Sequence, residues 1–176
     1  MSPLVKNIIR FVLFIGIQVF ILNEVPPLHQ FIVPYIYFLY IVWLPFKMSR
    51  IGLMVVAFFF GVFYDLFTGT TGLHAAACVL LAYARPYVLT ILIPHESTEQ
   101  SYIEPSITSM GWAPYAVYVS ILTFIHHFYL VLLEWLQFGS FGYFLGKVIS
   151  TTGISILLIF VAEMLVSRKG RYRMNG

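Results

Sequence analysis

Apolar residues in this chain come in long, unbroken runs, and the polar positions collect in short breaks between them. Runs of about 20 apolar residues are what an α-helix needs to cross a ~30 Å hydrocarbon layer. Six such runs stand out, bounded by charge, Pro or Gly: Ile8 to Val25, Leu28 to Phe46, Ile51 to Phe67, Leu73 to Ile93, Ala113 to Leu133 and Phe141 to Val166. The pattern predicts an all-α integral membrane protein, a six-helix transmembrane bundle formed as a single domain over residues 1–176. The second run is the weakest, because it contains Pro34 and Pro45 and its uninterrupted part is short. It is expected to be tilted, kinked or shallow. The first run follows Lys6 and Arg10 as a secretion signal would, but Asn23-Glu24-Val25-Pro26-Pro27 offers no small-residue cleavage pattern, so it reads as a retained helix.

Composition agrees with this reading. The 176 residues are 60% hydrophobic and 10% charged, and the mean hydropathy is +0.90, outside the usual balance of a soluble domain. The 17 Phe, 12 Tyr and 3 Trp suit lipid contact and the two membrane interfaces. Basic residues then set the orientation. Lys6 and Arg10 precede the first run, Lys47 and Arg50 separate the second from the third, and Arg168, Lys169, Arg171 and Arg173 form a tail. The alternate breaks, Asn23 to Gln30, Asp65 to Gly72 and Glu134 to Ser140, hold no Lys or Arg. By the positive-inside rule both termini are cytoplasmic, and so is the acidic loop His95 to Trp112. The basic tail suits either anionic lipid or a simple topological anchor.

Candidate chemistry is sparse. Asp65 is the only aspartate, so the paired carboxylates of an intramembrane aspartyl protease are missing. There is no Gly-x-Ser-x-Gly elbow, and Ser120, Ser150 and Ser155 have no histidine near them in sequence. His95 lacks the second histidine of a His-Glu-x-x-His zinc helix. His126 and His127 are neighbours and so point about 100° apart on a helix; one is expected to pack inward and the other to find a backbone or aromatic partner. Gly69-Thr70-Thr71-Gly72 lacks the Lys of a phosphate-binding loop and falls on the outer side. No cofactor, metal site or nucleic-acid partner is expected. Cys78 stands alone inside the fourth run and forms no internal disulfide.

The remaining ionisable residues sort by depth. Asp65 ends the third run at the outer face, Gly69 and Gly72 allow a tight reversal, and His74 opens the fourth run. Lys147 starts roughly 9 Å inside the sixth run and is expected to snorkel outward to Asp65 or Glu134. Asp65, His74, Glu134 and Lys147 thus form an expected outer polar cluster. Arg85 and Glu163 share a depth in the inner leaflet and are expected to pair, with a kink at Pro86. Gly142-x-x-x-Gly146 suggests a close helix crossing, within the chain or with a partner.

The stretch "GVFYDLFTGTTGLHA", with Gly61, Asp65, Leu66, Gly69, Gly72 and Leu73, resembles the Gly-x-x-x-Asp-Leu-x-x-Gly…Gly-Leu pattern of the MreD family of rod-shape proteins. Size, six spans and cytoplasmic termini extend the resemblance over the full length. It implies a fold like that of the S components of energy-coupling-factor transporters, and a non-catalytic scaffold in the bacterial cytoplasmic membrane. Its implied partners are a bitopic MreC-like protein and, indirectly, MreB-like filaments, a SEDS glycosyltransferase and a class B penicillin-binding protein. The structural or partner-binding candidates are Gly61, Asp65, Gly69 and Gly72 of this motif and, from the depth and helix-packing arguments above, His74, Arg85, Gly142, Gly146, Lys147 and Glu163. The competing reading is an S component of a vitamin transporter, whose pocket the outer polar cluster would line. Ala-x-x-x-Ala docking patterns of such subunits are absent from the first run, where Gly16 is the only small residue.

Overall fold

A computed structural model describes residues 3–25, 32–93, 104–138 and 140–165 of the chain. The described residues form helices and connecting turns. In chain order these are α1 (Pro3–Ile17), continued by a π-helical turn (Gln18–Leu22), then α2 (Leu39–Val42), α3 (Arg50–Thr68), α4 (Leu73–Leu92), α5 (Ile107–Met110), α6 (Trp112–Phe138) and α7 (Phe141–Leu165). Five of them are long and apolar enough to cross a membrane: α1 with its π-helical extension, α3, α4, α6 and α7. The molecule is an all-helical, multi-pass membrane protein.

Local chemistry explains the ends. Ser49 caps α3, its hydroxyl accepting the Gly52 N–H at 3.1 Å, and Gly69 closes the same helix in the left-handed region at φ 69°. Helix α5 opens on a reciprocal box in which Ser106 and Ser109 each take the other's backbone N–H. Helix α4 runs on through Pro86, where a kink was expected, as one helix. Helices α3, α4, α6 and α7 pack in chain order, and α1 lies against the segment that follows it and against α3.

The second expected span is where the structure departs from the periodicity. Over Leu28 to Phe46 the described part, from Ile32, is mostly non-helical and contains only the single turn α2. It still runs from one end of the bundle to the other. Tyr37 stacks on Tyr64 near the end of α3, Tyr40 stacks on Phe60 one turn earlier, and Trp43 meets Phe14 and the Arg10 guanidinium of α1. Residues Tyr35 to Leu44 are nearly all buried, and Tyr37, Phe38, Ile41 and Val42 have no accessible surface. The segment is therefore a pillar surrounded by helices, not a lipid-facing helix. Pro34 and Pro45 deny it a long helix, and its aromatic bulk supplies the apolar run that the sequence shows.

A non-helical backbone at membrane depth must have its N–H and C=O groups satisfied by protein. The surrounding helices do this with side chains. Gln18, fully buried on the π-helical turn, donates to Pro34 O at 2.9 Å and accepts Ile36 N–H at 2.8 Å and Tyr37 N–H at 3.2 Å. Ser155 on α7 accepts Tyr35 N–H at 3.1 Å. At the other end Tyr118 on α6 donates to Val42 O at 2.9 Å, and Arg85 on α4 donates to Val42 O at 3.4 Å and to Leu44 O.

Candidate functional site

A polar centre at one end of the molecule is the corner between α3 and α4. Helix α4 begins after Gly72, which sits at φ 82° and brings no side chain to cap the first N–H groups of the helix. Asp65, one helix earlier, supplies the cap. Its Oδ1 accepts the His74 N–H at 3.0 Å and its Oδ2 the Ala75 N–H at 3.0 Å. Oδ1 also accepts the Thr70 hydroxyl at 2.8 Å and the His74 Nδ1–H at 2.9 Å. A carboxylate only accepts, so this contact fixes the proton of His74 on Nδ1. The carboxylate is buried with 5% exposure, and it faces the positive end of the α4 dipole.

The glycines of the motif serve the same corner. Gly69 returns its N–H to Asp65 O at 2.9 Å. A Cβ on Gly61 would lie 2.4 Å from Ala75 Cα, so α3 and α4 touch backbone to backbone there. The motif residues thus divide the local work, with close approach at Gly61, capping at Asp65, and chain reversal at Gly69 and Gly72.

The expected outer cluster forms in two parts. Of the two partners expected for Lys147 the structure takes Glu134, joining α7 to α6, and not Asp65, which pairs with His74. The reason is geometric: Asp65 turns into the α3–α4 corner, where four donors surround it, and Lys147 meets Glu134 across the α6–α7 turn. His74 and Glu134 do line one cavity of about 520 Å³ together with Asn23, Tyr64, Thr68 and Thr70. Asp65 lines a different feature, an apolar groove of about 770 Å³ between α3 and α4.

Arg85 corrects the sequence reading in the same way. Its guanidinium is fully buried and bonds Tyr118 Oη at 2.9 Å and the Val42 and Leu44 carbonyls, in place of the expected Glu163. Glu163 accepts the Tyr115 hydroxyl, and Tyr115 in turn accepts the Trp43 indole N–H at 2.9 Å. At Gly142 no atom approaches the position of a Cβ within 4 Å, so the expected close crossing within the chain is not made there; Gly146 is half-buried.

His127 finds the backbone partner expected of one of the two histidines, while the long-range contacts around them were invisible to sequence spacing. His126 and His127 both lie inside: His126 Nε2 is 2.8 Å from the Tyr37 hydroxyl, and His127 Nδ1 donates to Thr123 O at 2.7 Å. That bond leaves His127 Nε2 as acceptor for the Ser155 hydroxyl at 3.1 Å. This hydroxyl–imidazole contact has the orientation of a base beside a nucleophile. Both residues are fully buried and Ser155 already accepts the Tyr35 N–H, so the pair ties α6, α7 and the pillar together. Among the described residues no three His, Cys, Asp or Glu side chains converge as metal ligands. Glu104, just before α5, takes Lys6 at 2.8 Å and Arg10 at 2.9 Å from α1. Burial alone would raise its carboxyl, but the two cations hold it below the ordinary carboxylate range. The basic tail from Arg168 and the loop from His95 to Ile103 lie outside the described residues.

Comparison with protein-family models, with characterised proteins and with solved structures finds no match for this chain.

Proposed function

We propose that this chain is a non-catalytic scaffold subunit of the bacterial cell-shape and cell-wall elongation complex, an MreD-type protein of the cytoplasmic membrane. The observation that carries the reading is the use made of "GVFYDLFTGTTGLHA". Gly61, Asp65, Gly69 and Gly72 are all committed to fixing α3 against α4, and Asp65 holds four donors of its own chain. A carboxylate so engaged is a structural element that sets the shape of a membrane surface. Read as a sixth crossing beside the five long apolar helices, the pillar supports an even number of spans with cytoplasmic termini and an S-component-like fold. The direct partner is a bitopic MreC-like protein; through it the subunit acts with MreB-like filaments, a SEDS glycosyltransferase and a class B penicillin-binding protein. The open face at Gly142 suits a partner's helix.

A second reading, the S component of a vitamin transporter, draws support from the cavity beside His74 and Glu134, whose polar wall faces Leu22, Val33, Ile154 and Leu158. The two readings separate in one experiment. Depleting the protein from a rod-shaped host should round or swell the cells without a transport defect, and the tagged chain should bring down a single-span partner. Saturable vitamin binding at nanomolar concentration, with cell shape intact, overturns the scaffold reading.

A further inference from the structure

Two rows of side chains border the apolar groove, and both continue past its end in register. On α3 the row is Met54, Phe58, Val62 and Leu66; one turn before Met54 on the same face comes Arg50. On α4 the row is Ala76, Leu80 and Tyr83, and one turn beyond Tyr83 comes Tyr87. Arg50 and Tyr87 meet there: the guanidinium donates to the Tyr87 hydroxyl at 3.2 Å and lies 4.8 Å from the ring centre, and the Tyr87 hydroxyl is 3.4 Å from that of Tyr83. The groove thus has an apolar length and one end formed by a cation and two hydroxyls.

We propose that this face is a phospholipid site, in which an acyl chain lies between α3 and α4 and an anionic headgroup is held by Arg50 with the Tyr83 and Tyr87 hydroxyls. Length allows the occupant: from Tyr83 to Gly72 the groove runs roughly 16 Å at 1.5 Å per residue, room enough for a chain entering at the Tyr83 end, since one leaflet of a ~30 Å hydrocarbon layer is about 15 Å deep. Charge supports it as well. Arg50 takes part in none of the four ion pairs among the described residues. It is also the first residue of α3, where the helix dipole disfavours a cation and favours an anion. A phosphate diester satisfies both, accepting from the guanidinium fork and from the tyrosine hydroxyls. The level is right too, since Arg50 shares its end of the bundle with Lys6, Arg10 and Lys47, where headgroups of the inner leaflet are expected. The inference rests on the groove and Arg50, not on the scaffold reading.

Native mass spectrometry of the full chain in mild detergent tests it, by titrating phosphatidylglycerol and phosphatidylcholine with identical palmitoyl and oleoyl chains. Phosphatidylglycerol should bind more tightly, and Arg50→Gln should weaken it about fivefold, the effect of one basic residue near a membrane surface, while weakening phosphatidylcholine less, because its own trimethylammonium offsets the phosphate charge that Arg50 meets. Lys47→Gln, which removes a nearby charge off the row, should change either lipid less than twofold, and excess inorganic phosphate should displace neither. Ala76→Leu, which fills the groove floor, should weaken both lipids alike, with Cys78 still protected from maleimide as a sign of intact folding. Equal affinity for the two lipids, or equal losses from Lys47→Gln and Arg50→Gln, overturns the headgroup site. A dimer that Ala76→Leu dissociates assigns the groove to a second copy of the chain and overturns the proposal altogether.

Discussion

Replacing Asp65 with alanine removes the cap of α4 and all four bonds of the corner at once. The His74 and Ala75 N–H groups, with the His74 Nδ1–H, lose their acceptor in a buried place. Stranded buried donors cost about 1–3 kcal/mol each, and a lost cap alone about 0.5–2 kcal/mol. Because the corner relaxes in part, Asp65→Ala should cost about 3–5 kcal/mol, and Asp65→Asn, which keeps one oxygen but sets an amide donor among donors, about 1–2 kcal/mol. Cys78 provides the assay. It is the only cysteine, it is fully buried, and a thiol-reactive dye that fluoresces on reaction reports the temperature at which the core opens. The midpoint should fall by on the order of 10 °C for Asp65→Ala. Partner identity follows from double-mutant cycles: Asp65→Ala with His74→Ala should be coupled by about 1 kcal/mol or more, and Asp65→Ala with Lys147→Ala should be additive within ~0.5 kcal/mol. An unchanged midpoint in Asp65→Ala, or coupling to Lys147 and not to His74, refutes the capping argument.

Gly61→Ala should destabilise by about 1–3 kcal/mol in the same assay, since its methyl meets Ala75 Cα at 2.4 Å, whereas Gly142→Ala, with open space around it, should stay within ~0.5 kcal/mol. Arg85→Met should reduce folded protein by stranding the Leu44 carbonyl, at a cost of about 1–3 kcal/mol, while the Val42 carbonyl keeps the Tyr118 hydroxyl; a midpoint unchanged from the parent contradicts this. Glu104 has a folded-state pKa below its unfolded value, so its contribution is fully present above about pH 4.5 and is lost as pH falls through the lower folded value. Thermal midpoints of the parent and Glu104→Gln should therefore converge in acid and separate toward neutral pH; a constant gap contradicts the pairing. Cysteine-accessibility labelling should find positions 48, 100 and 172 cytoplasmic and 24, 70 and 138 external, and external labelling at 172 reverses the orientation.

The long helices were legible because each depends on a local run of apolar residues: α3 at Arg50–Thr68 and α4 at Leu73–Leu92 fall within a residue of the runs Ile51 to Phe67 and Leu73 to Ile93. The α3–α4 corner was legible in outline for the same reason, since Asp65, Gly69, Gly72 and His74 are close in sequence. Which members of the Asp65, His74, Glu134 and Lys147 cluster pair was not legible, because depth counting ranks candidates along the membrane normal and says nothing of azimuth, so Asp65 and Glu134 looked equivalent as partners of Lys147. The pillar was misread for a different reason. Its apolar run has the composition of a span, but its apolar side chains contact protein on all sides, and periodicity carries no information about which neighbour covers a residue. The groups that make a non-helical crossing possible, Gln18, Arg85, Tyr118 and Ser155, stand between 16 and 120 positions from the backbone they satisfy. Arg85 looked like half of an ion pair because charge suggests charge; the unpaired carbonyls of Val42 and Leu44 exist only once the fold is known.

The measurement closest to the central claim is affinity purification of the tagged full chain from mild detergent, with co-purifying proteins identified by mass spectrometry in the parent and in Asp65→Asn, chosen as the milder change. A scaffold whose Asp65 corner shapes the binding surface should bring down a single-span membrane protein as the parent, with recovery reduced in Asp65→Asn in proportion to the folded protein remaining. A chain that purifies alone, with a small vitamin-like molecule bound and released on denaturation, would contradict it.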